Sequence, residues 1–171
     1  LPLKLLAHNF SVKHLDEEIL SLLIKAGMDT FAIAVESGSP EIQKRINKFL
    51  NFDLVRKVVK MMKSHGVQVR ICWMVGFPNE TMDQINSTFN LARELKANWN
   101  QFATVLPYPG TQMFNEAKNA NLLVFPEDNL DKFDNRRCDY LKSDQWNYDQ
   151  LQKMVYDANI EMNFLNNPSL E

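Results

Sequence analysis

The residues of this chain that could do chemistry lie in two short turns, each directly after an apolar run. Glu36 and Ser37 follow one run and offer a carboxylate and a hydroxyl, whereas Gly76 begins the second turn and Glu80 ends it. Carboxylates and hydroxyls hydrogen-bond polar ligands, and a glycine lets another group approach the backbone closely. The two turns therefore favour binding of a small polar molecule.

Arg70 lies inside an apolar run, on the face that alternates with the bulky residues Val69 and Ile71. An arginine inside a fold is costly to bury alone, so the pattern predicts either a carboxylate partner or a charged ligand. Glu36, at the end of the preceding apolar run, is the nearest candidate. A purely structural Arg70–Glu36 ion pair and a pair that orients a cofactor are both open.

Composition and charge limit the partners that this protein could have. The sequence has two cysteines, Cys72 and Cys138, whose spacing fits neither a disulfide framework nor a zinc site. The formal net charge of −2 gives no basic field for nucleic-acid phosphates or an anionic membrane surface. No apolar run approaches the roughly 20 residues that span a bilayer. We therefore expect a cytoplasmic protein with a small-molecule substrate, and neither nucleic acid nor a membrane as partner.

Four β-type runs alternate with helical patterns, which predicts parallel strands joined by crossover helices. The predicted strands are Leu3–Ala7, Thr30–Val35, Val67–Val75 and Phe102–Leu106. The predicted helices cover Asp16–Ala26 and Asp53–Ser64, and a third starts at the capping-box residue Thr81. The loops that follow the strands should then share one rim of the sheet, where ligands bind in such folds.

The number of strands predicts an incomplete barrel. A full eight-stranded α/β barrel takes about 250 residues, whereas this chain has 171 residues. We predict an α/β fold in which residues 1–123 form a parallel-stranded half of a TIM-like barrel. Residues 124–171 are predicted to be a C-terminal helical extension, with a loop over Phe125–Tyr140 and a closing helix over Asn147–Leu165. The unpaired edge of the first strand predicts a homo-oligomer.

Three segments, each just after a predicted strand, together resemble the radical S-adenosylmethionine enzyme family. They are Val35-Glu36-Ser37-Gly38-Ser39, Met74-Val75-Gly76-Phe77-Pro78-Asn79-Glu80-Thr81 and Leu106-Pro107-Tyr108-Pro109-Gly110-Thr111. The third segment is similar to a turn in the subgroup that often carries a cobalamin-binding domain. Each motif alone is weak, but three in this order are fairly specific.

The resemblance implies an iron–sulfur enzyme of the oxidoreductase type. In that family a 4Fe-4S cluster, held by a Cys-x3-Cys-x2-Cys motif, binds S-adenosylmethionine and generates a 5′-deoxyadenosyl radical. This sequence lacks three such cysteines. We therefore expect a fragment that is inactive alone, within a full-length enzyme that uses S-adenosylmethionine, the cluster and, as an open option, cobalamin. An α/β-barrel lyase, disfavoured because no strand ends in lysine, and a non-catalytic interaction module are the alternatives.

The resemblance also implies which positions would bind the cofactor, whereas no catalytic residue or metal ligand is assigned. In chain order these positions are Asn9, Glu36, Ser37, Arg70, Met74, Val75, Gly76, Glu80, Leu106 and Pro107. Residues 36–37 would hydrogen-bond the ribose or the amino-acid part, residues 74–76 would lie along adenine, and residues 106–107 would pack on it. Glu80 would brace the turn after residue 76. A role for Glu36 as cap of a helix that begins near Ser39 is the alternative.

Overall fold

The computed structural model describes residues 3–124 and 139–167, without the side chain of His14, and contains a four-stranded parallel sheet. The strands are β1 (Leu5–Phe10), β2 (Met28–Glu36), β3 (Gln68–Val75) and β4 (Trp99–Thr104). They neighbour one another in chain order, and each adjacent pair is parallel. The predicted α/β fold with parallel strands is confirmed.

Helices follow each strand and close the chain. They are α1 (Glu17–Lys25), α2 (Pro40–Arg45), α3 (Phe52–Ser64), α4 (Met82–Leu95), α5 (Gln112–Asn119) and α6 (Tyr148–Ile160), with a 3-10 helix at Val12–His14 and a π-helix at Glu161–Leu165. A polar side chain caps the start of each of the α-helices that the structure describes, and the predicted capping box at Thr81 is present. The sequence pattern missed α5, because eight residues are too few to show a clear apolar period.

Two strands begin and end at other residues than the sequence predicted. β1 covers Leu5–Phe10 instead of Leu3–Ala7, and β4 covers Trp99–Thr104 instead of Phe102–Leu106. The other two predictions agree with the structure to within two residues. The shifts arise because the backbone ladder with the neighbouring strand decides where a strand begins, and this ladder includes partly exposed residues.

The two faces of the sheet differ as the alternation of side chains predicted. On the outer face, under the helices, Ile33, Ile71 and Val75 are fully buried. On the inner face Gln68 and Arg70 are exposed. The outer face belongs to a hydrophobic cluster that also contains the C-terminal side chains Tyr140, Leu141, Trp146 and Leu151. The domain boundary at residue 123 stays a prediction, and the predicted loop over residues 125–140 lies almost entirely outside the described residues.

Among the helices in the described ranges, none combines the length and apolar character that a membrane crossing requires.

Gly38 allows α4 to pack directly against the turn between β2 and α2. A Cβ atom there would lie 2.5 Å from the carbonyl oxygen of Ser87 and 2.8 Å from Cα of Thr88. We expect Gly38→Ala to lower the free energy of unfolding by about 1–3 kcal/mol, because helix backbone cannot move aside cheaply. Urea denaturation measures this loss. Gly66→Asn is the control, since Gly66 has φ +77 with open space around it and asparagine tolerates that conformation; equal losses in both variants would contradict the steric explanation.

Candidate functional site

The carboxyl ends of β2, β3 and β4 lie side by side and form one rim. Glu36 of β2 lies opposite Trp73 of β3, and Val75 of β3 lies opposite Thr104 of β4. The ladder continues into the next loop, where the backbone N–H of Val105 donates to the carbonyl of Val75 at 2.9 Å. The predicted convergence of the segments around residues 36, 76 and 107 is therefore confirmed.

Glu36 ends β2 in a strained conformation and is held by a lysine. Its φ is +70, a value that non-glycine residues rarely adopt, and the ladder with β3 has a register shift there. Lys48 Nζ donates to Glu36 Oε1 at 2.9 Å and to the carbonyl of Ala34 at 2.8 Å. Ser39, not Glu36, caps α2, so the capping alternative for Glu36 is wrong. Such strain is kept where neighbouring contacts impose it, and functional sites are a common place for it.

Arg70 does not pair with Glu36, so the predicted ion pair is wrong. In the strand register Arg70 lies opposite Ala32 and Trp99, whereas Glu36 lies opposite Trp73; these three residues of β3 separate Arg70 from the level of Glu36 by about 10 Å. The guanidinium is exposed on the inner face and forms no ion pair within residues 3–124 and 139–167. Because this face is open to water, the arginine needs no partner. Its predicted contact with the cofactor stays a prediction.

Asn9 and Cys72 lie next to the Glu36–Lys48 pair on the inner face. Asn9, the last residue but one of β1, has φ +53, and the Cys72 thiol donates to Asn9 Oδ1 at 3.9 Å. Burial raises the pKa of the Cys72 thiol, and the charge of Glu36 raises it further. The thiol is therefore protonated at neutral pH. We call Asn9, Glu36, Lys48 and Cys72 the inner-face cluster.

The inner-face cluster holds one carboxylate and one thiol, which are too few ligands to form a metal site by themselves. In the described parts of the chain no three His, Cys, Asp or Glu side chains are grouped closely enough to hold an ion. Cys138 lies outside the described residues, and Cys72 is a free thiol. What the cluster offers is a carboxylate, an amide and a lysine ammonium group at one end of an open sheet face.

Ser37 is used within the protein. It is fully buried, its hydroxyl lies 3.2 Å from the hydroxyl of Thr88, and it accepts from the backbone N–H of Ser39 at 3.1 Å. Gln43 Nε2 donates to the Ser37 carbonyl at 2.6 Å. These bonds fix the turn that follows Glu36. A direct contact between Ser37 and the cofactor stays a prediction.

Glu80 braces the turn after β3, as predicted. Its Oε2 accepts from the backbone N–H of Gly76 at 2.6 Å and from that of Phe77 at 3.0 Å. Gly76 has φ +83, and a Cβ atom on it would lie 2.7 Å from a methyl group of Leu151 in α6. In this structure the group that approaches Gly76 closely is therefore a side chain of the protein. Asn79 adopts φ +58, a left-handed conformation that asparagine tolerates.

The other predicted cofactor positions differ in what they present to the rim. Met74 is half-buried and packs with a small apolar cluster that includes Phe77 and Val105. Val75 is fully buried on the outer face, so only its backbone could reach a ligand. Leu106 is half-buried and Pro107 is buried beyond the end of β4. Lys48 was not predicted as the partner of Glu36, because no local pattern in the sequence links the two residues.

The carboxyl group of Glu80 is a buried acid with a perturbed pKa. Burial raises its pKa from 4.5 to about 7, against the opposing effects of the Phe77 and Gly76 N–H groups and of the charge of Arg45. Its second oxygen, Oε1, is buried without a hydrogen-bond partner. The native state thus binds a proton here more tightly than the unfolded chain does. The stability contributed by this proton is present below the unfolded pKa and is lost as pH rises through about 7.

Glu80→Gln should remove this pH dependence. Between roughly pH 5 and pH 8 the parent chain should lose about 1–3 kcal/mol of unfolding free energy that the glutamine variant does not lose. The variant should therefore become more stable relative to the parent as the pH rises. Urea denaturation at a series of pH values measures it. Glu18→Gln, at an exposed position in α1, is the control. A difference that stays constant with pH would contradict a raised pKa at Glu80.

Comparison with known proteins agrees with this geometry. The sequence profile of the Radical SAM superfamily matches residues 7–92. An uncharacterized methyltransferase of Pyrococcus horikoshii is 30% identical over 113 residues, which are 66% of this chain and 25% of that protein. This chain thus spans about a quarter of the length of that relative.

Two solved structures share the fold. The radical S-adenosylmethionine methyltransferase TsrM from Kitasatospora setae, with cobalamin and a 4Fe-4S cluster bound, superposes with a TM-score of 0.62 at 21% identity, covering 72% of this chain and 25% of that one. Coproporphyrinogen III oxidase (HemN) from Escherichia coli gives 0.61 at 16% identity, covering 85% and 30%. The predicted partial TIM-like barrel is confirmed, and the chain belongs to the Radical SAM superfamily.

Proposed function

We propose that this chain forms part of the S-adenosylmethionine site of a radical S-adenosylmethionine enzyme, at the rim of β2, β3 and β4. The observation that carries the proposal is Glu36, which the fold holds in a strained conformation at the end of a central strand. Family membership makes S-adenosylmethionine the natural ligand of that rim. The other predicted positions lie at or beside the same strand ends.

The chemistry of the rim fits S-adenosylmethionine. Lys48 engages Oε1 of Glu36, which leaves Oε2 to accept from a ribose hydroxyl or from the ammonium group of the ligand. Ala34 and Ala103 are half-buried on the inner face and leave room for a flat group. When bound, S-adenosylmethionine would be the precursor of the 5′-deoxyadenosyl radical, while the residues of this chain would bind and orient it.

The described residues do not fit a 4Fe-4S cluster. Such clusters are held by several cysteine thiolates, whereas the sequence has two cysteines and burial keeps the Cys72 thiol protonated. We therefore propose that a segment outside this sequence supplies the cluster ligands and that the chain alone is inactive. That the chain spans 25% of its methyltransferase relative supports this proposal.

The reaction that we propose for the longer enzyme is hydrogen abstraction or methyl transfer, in the cytoplasm, on a small-molecule substrate. Methyl transfer is supported by the names of the Pyrococcus horikoshii relative and of TsrM. The TsrM structure contains cobalamin, which makes cobalamin an optional cofactor of this enzyme as well.

Glu36→Gln tests the proposed site. We expect S-adenosylmethionine to bind about tenfold more weakly, because a neutral amide forms a weaker hydrogen bond than a carboxylate. The measurement is titration calorimetry on the longer protein with its cluster reconstituted. Glu18→Gln, which changes an exposed glutamate of α1 in the same way, should bind as the parent does. Unchanged affinity in Glu36→Gln would overturn the assignment of this rim.

We also propose that the isolated chain self-associates through β1. Within the described residues β1 pairs only with β2, so its other edge has unpaired backbone groups. Leu3 and Leu6 beside that edge are 83% and 54% exposed. An exposed edge of this kind pairs readily with a second copy.

Leu6→Lys should prevent this association, because a lysine on an edge strand opposes strand pairing. We expect light scattering at millimolar concentration to show an oligomer for the parent chain and a monomer for this variant. Leu22→Lys changes an equally exposed leucine of α1, 57% exposed, and should leave the oligomer intact. A monomeric parent chain at that concentration would end the proposal.

A further inference from the structure

The edge of β4 that faces away from β3 is covered by side-chain amides. Asn159 of α6 donates to the carbonyl of Phe102 and accepts from its N–H, both at 3.1 Å. Asn163 of the π-helix forms the same pair with Asn100, at 2.7 Å to the N–H and 2.6 Å to the carbonyl. Each amide thus supplies one donor and one acceptor to one residue of the strand edge.

Asn167 continues this row, with Nδ2 donating to the carbonyl of Asn98 at 2.9 Å. We call Asn159, Asn163 and Asn167 the asparagine ladder. Four helical residues rise about 6 Å and two strand residues about 6.6 Å, so every fourth helix position can meet every second strand residue. The ladder runs antiparallel to β4 and provides the hydrogen bonds that a further strand would provide.

The same C-terminal segment contacts the turn after β3. The indole N–H of Trp146 donates to the carbonyl of Glu80 at 3.1 Å, and Leu151 fills the space beside Gly76. Trp146 is 4% exposed and Leu151 is 1% exposed. Residues 146–167 therefore contact the rim at two places, the Gly76–Glu80 turn and the side of β4.

We infer that Asn159 and Asn163 are positioning residues for the S-adenosylmethionine rim, an inference that rests on the proposed function. β4 leads into Leu106 and Pro107, and β3 supports it on one side only. The ladder supports the other side. Loss of one ladder amide leaves the buried N–H and carbonyl of a β4 residue unpaired, which costs more than the hydrogen bond itself was worth. The strand end then loses its fixed place beside the Gly76 turn.

Asn163→Leu in the 171-residue chain tests the ladder without any cofactor. The change keeps the approximate volume and removes the amide, so we expect the Asn100 N–H to exchange with deuterium about tenfold faster. The amide resonances of Gly76 and Leu106 should shift as well. Asn159→Leu is the second variant if the first does not fold, with Phe102 as its reporter. Asn86→Leu, at an exposed position in α4, is the matched control. Unchanged exchange in both ladder variants would overturn the inference.

Cofactor affinity of the longer, cluster-loaded protein separates positioning from stability alone. We expect Asn163→Leu to weaken S-adenosylmethionine binding about threefold to tenfold, the equivalent of one hydrogen bond. Val58→Ala opens a cavity at a fully buried position of α3, and should lower stability while leaving affinity unchanged. If both variants lose affinity alike, the ladder only stabilises the fold and the inference is wrong.

Glu36→Gln in the same assay distinguishes this inference from the function on which it rests. Weaker binding in Glu36→Gln with normal binding in Asn163→Leu would contradict the positioning role of the ladder and support the proposed function. Normal binding in both variants would contradict the proposed function itself.

Discussion

The parallel backbone ladder that joins β2, β3 and β4 is the constraint on which the rest of the structure depends. It places three strand ends at one level, so that residues separated by dozens of positions in the chain share a rim. It also decides which side chains face the helices and which face the open side. A one-residue slip in this register would exchange the two faces and move Glu36 from the rim into the core.

A parallel sheet has unpaired backbone groups at both edges. The two edges of this sheet differ in whether other parts of the chain hydrogen-bond to those groups. At β4 the asparagine ladder satisfies the edge with side-chain amides from the C-terminal segment. At β1 the described residues provide no such cover, and exposed leucines lie beside the strand. Within the described residues the sheet is therefore closed to extension at β4 and open at β1.

Electrostatics at the rim are arranged around two carboxyl groups in different environments. Glu36 is only partly buried and is paired with Lys48, an arrangement that suits a group offered to a ligand. Glu80 is fully buried, and its raised pKa follows from desolvation that two backbone N–H groups only partly offset. Glu80 therefore serves the turn itself. The same residue type thus has two roles, decided by how much water reaches each side chain.

The sequence by itself determined the local features of this protein. Alternating apolar residues in β3, the capping box at Thr81 and the glycine turn at Gly76 each express a preference of a few neighbouring residues. Together with the order of strands and helices, they were enough to predict the parallel sheet and the shared rim. The resemblance carried by the three turn segments was enough to predict the family.

Only the tertiary structure decided which distant groups meet. Lys48 rather than Arg70 pairs with Glu36, because the strand register separates Arg70 from the rim and the β2–α3 connection brings Lys48 back to it. The asparagine ladder joins residues 57 or more positions apart, and Leu151 reaches Gly76 from another helix. No local pattern encodes such pairs, since a hydrogen bond between distant segments depends on the packing of every element between them.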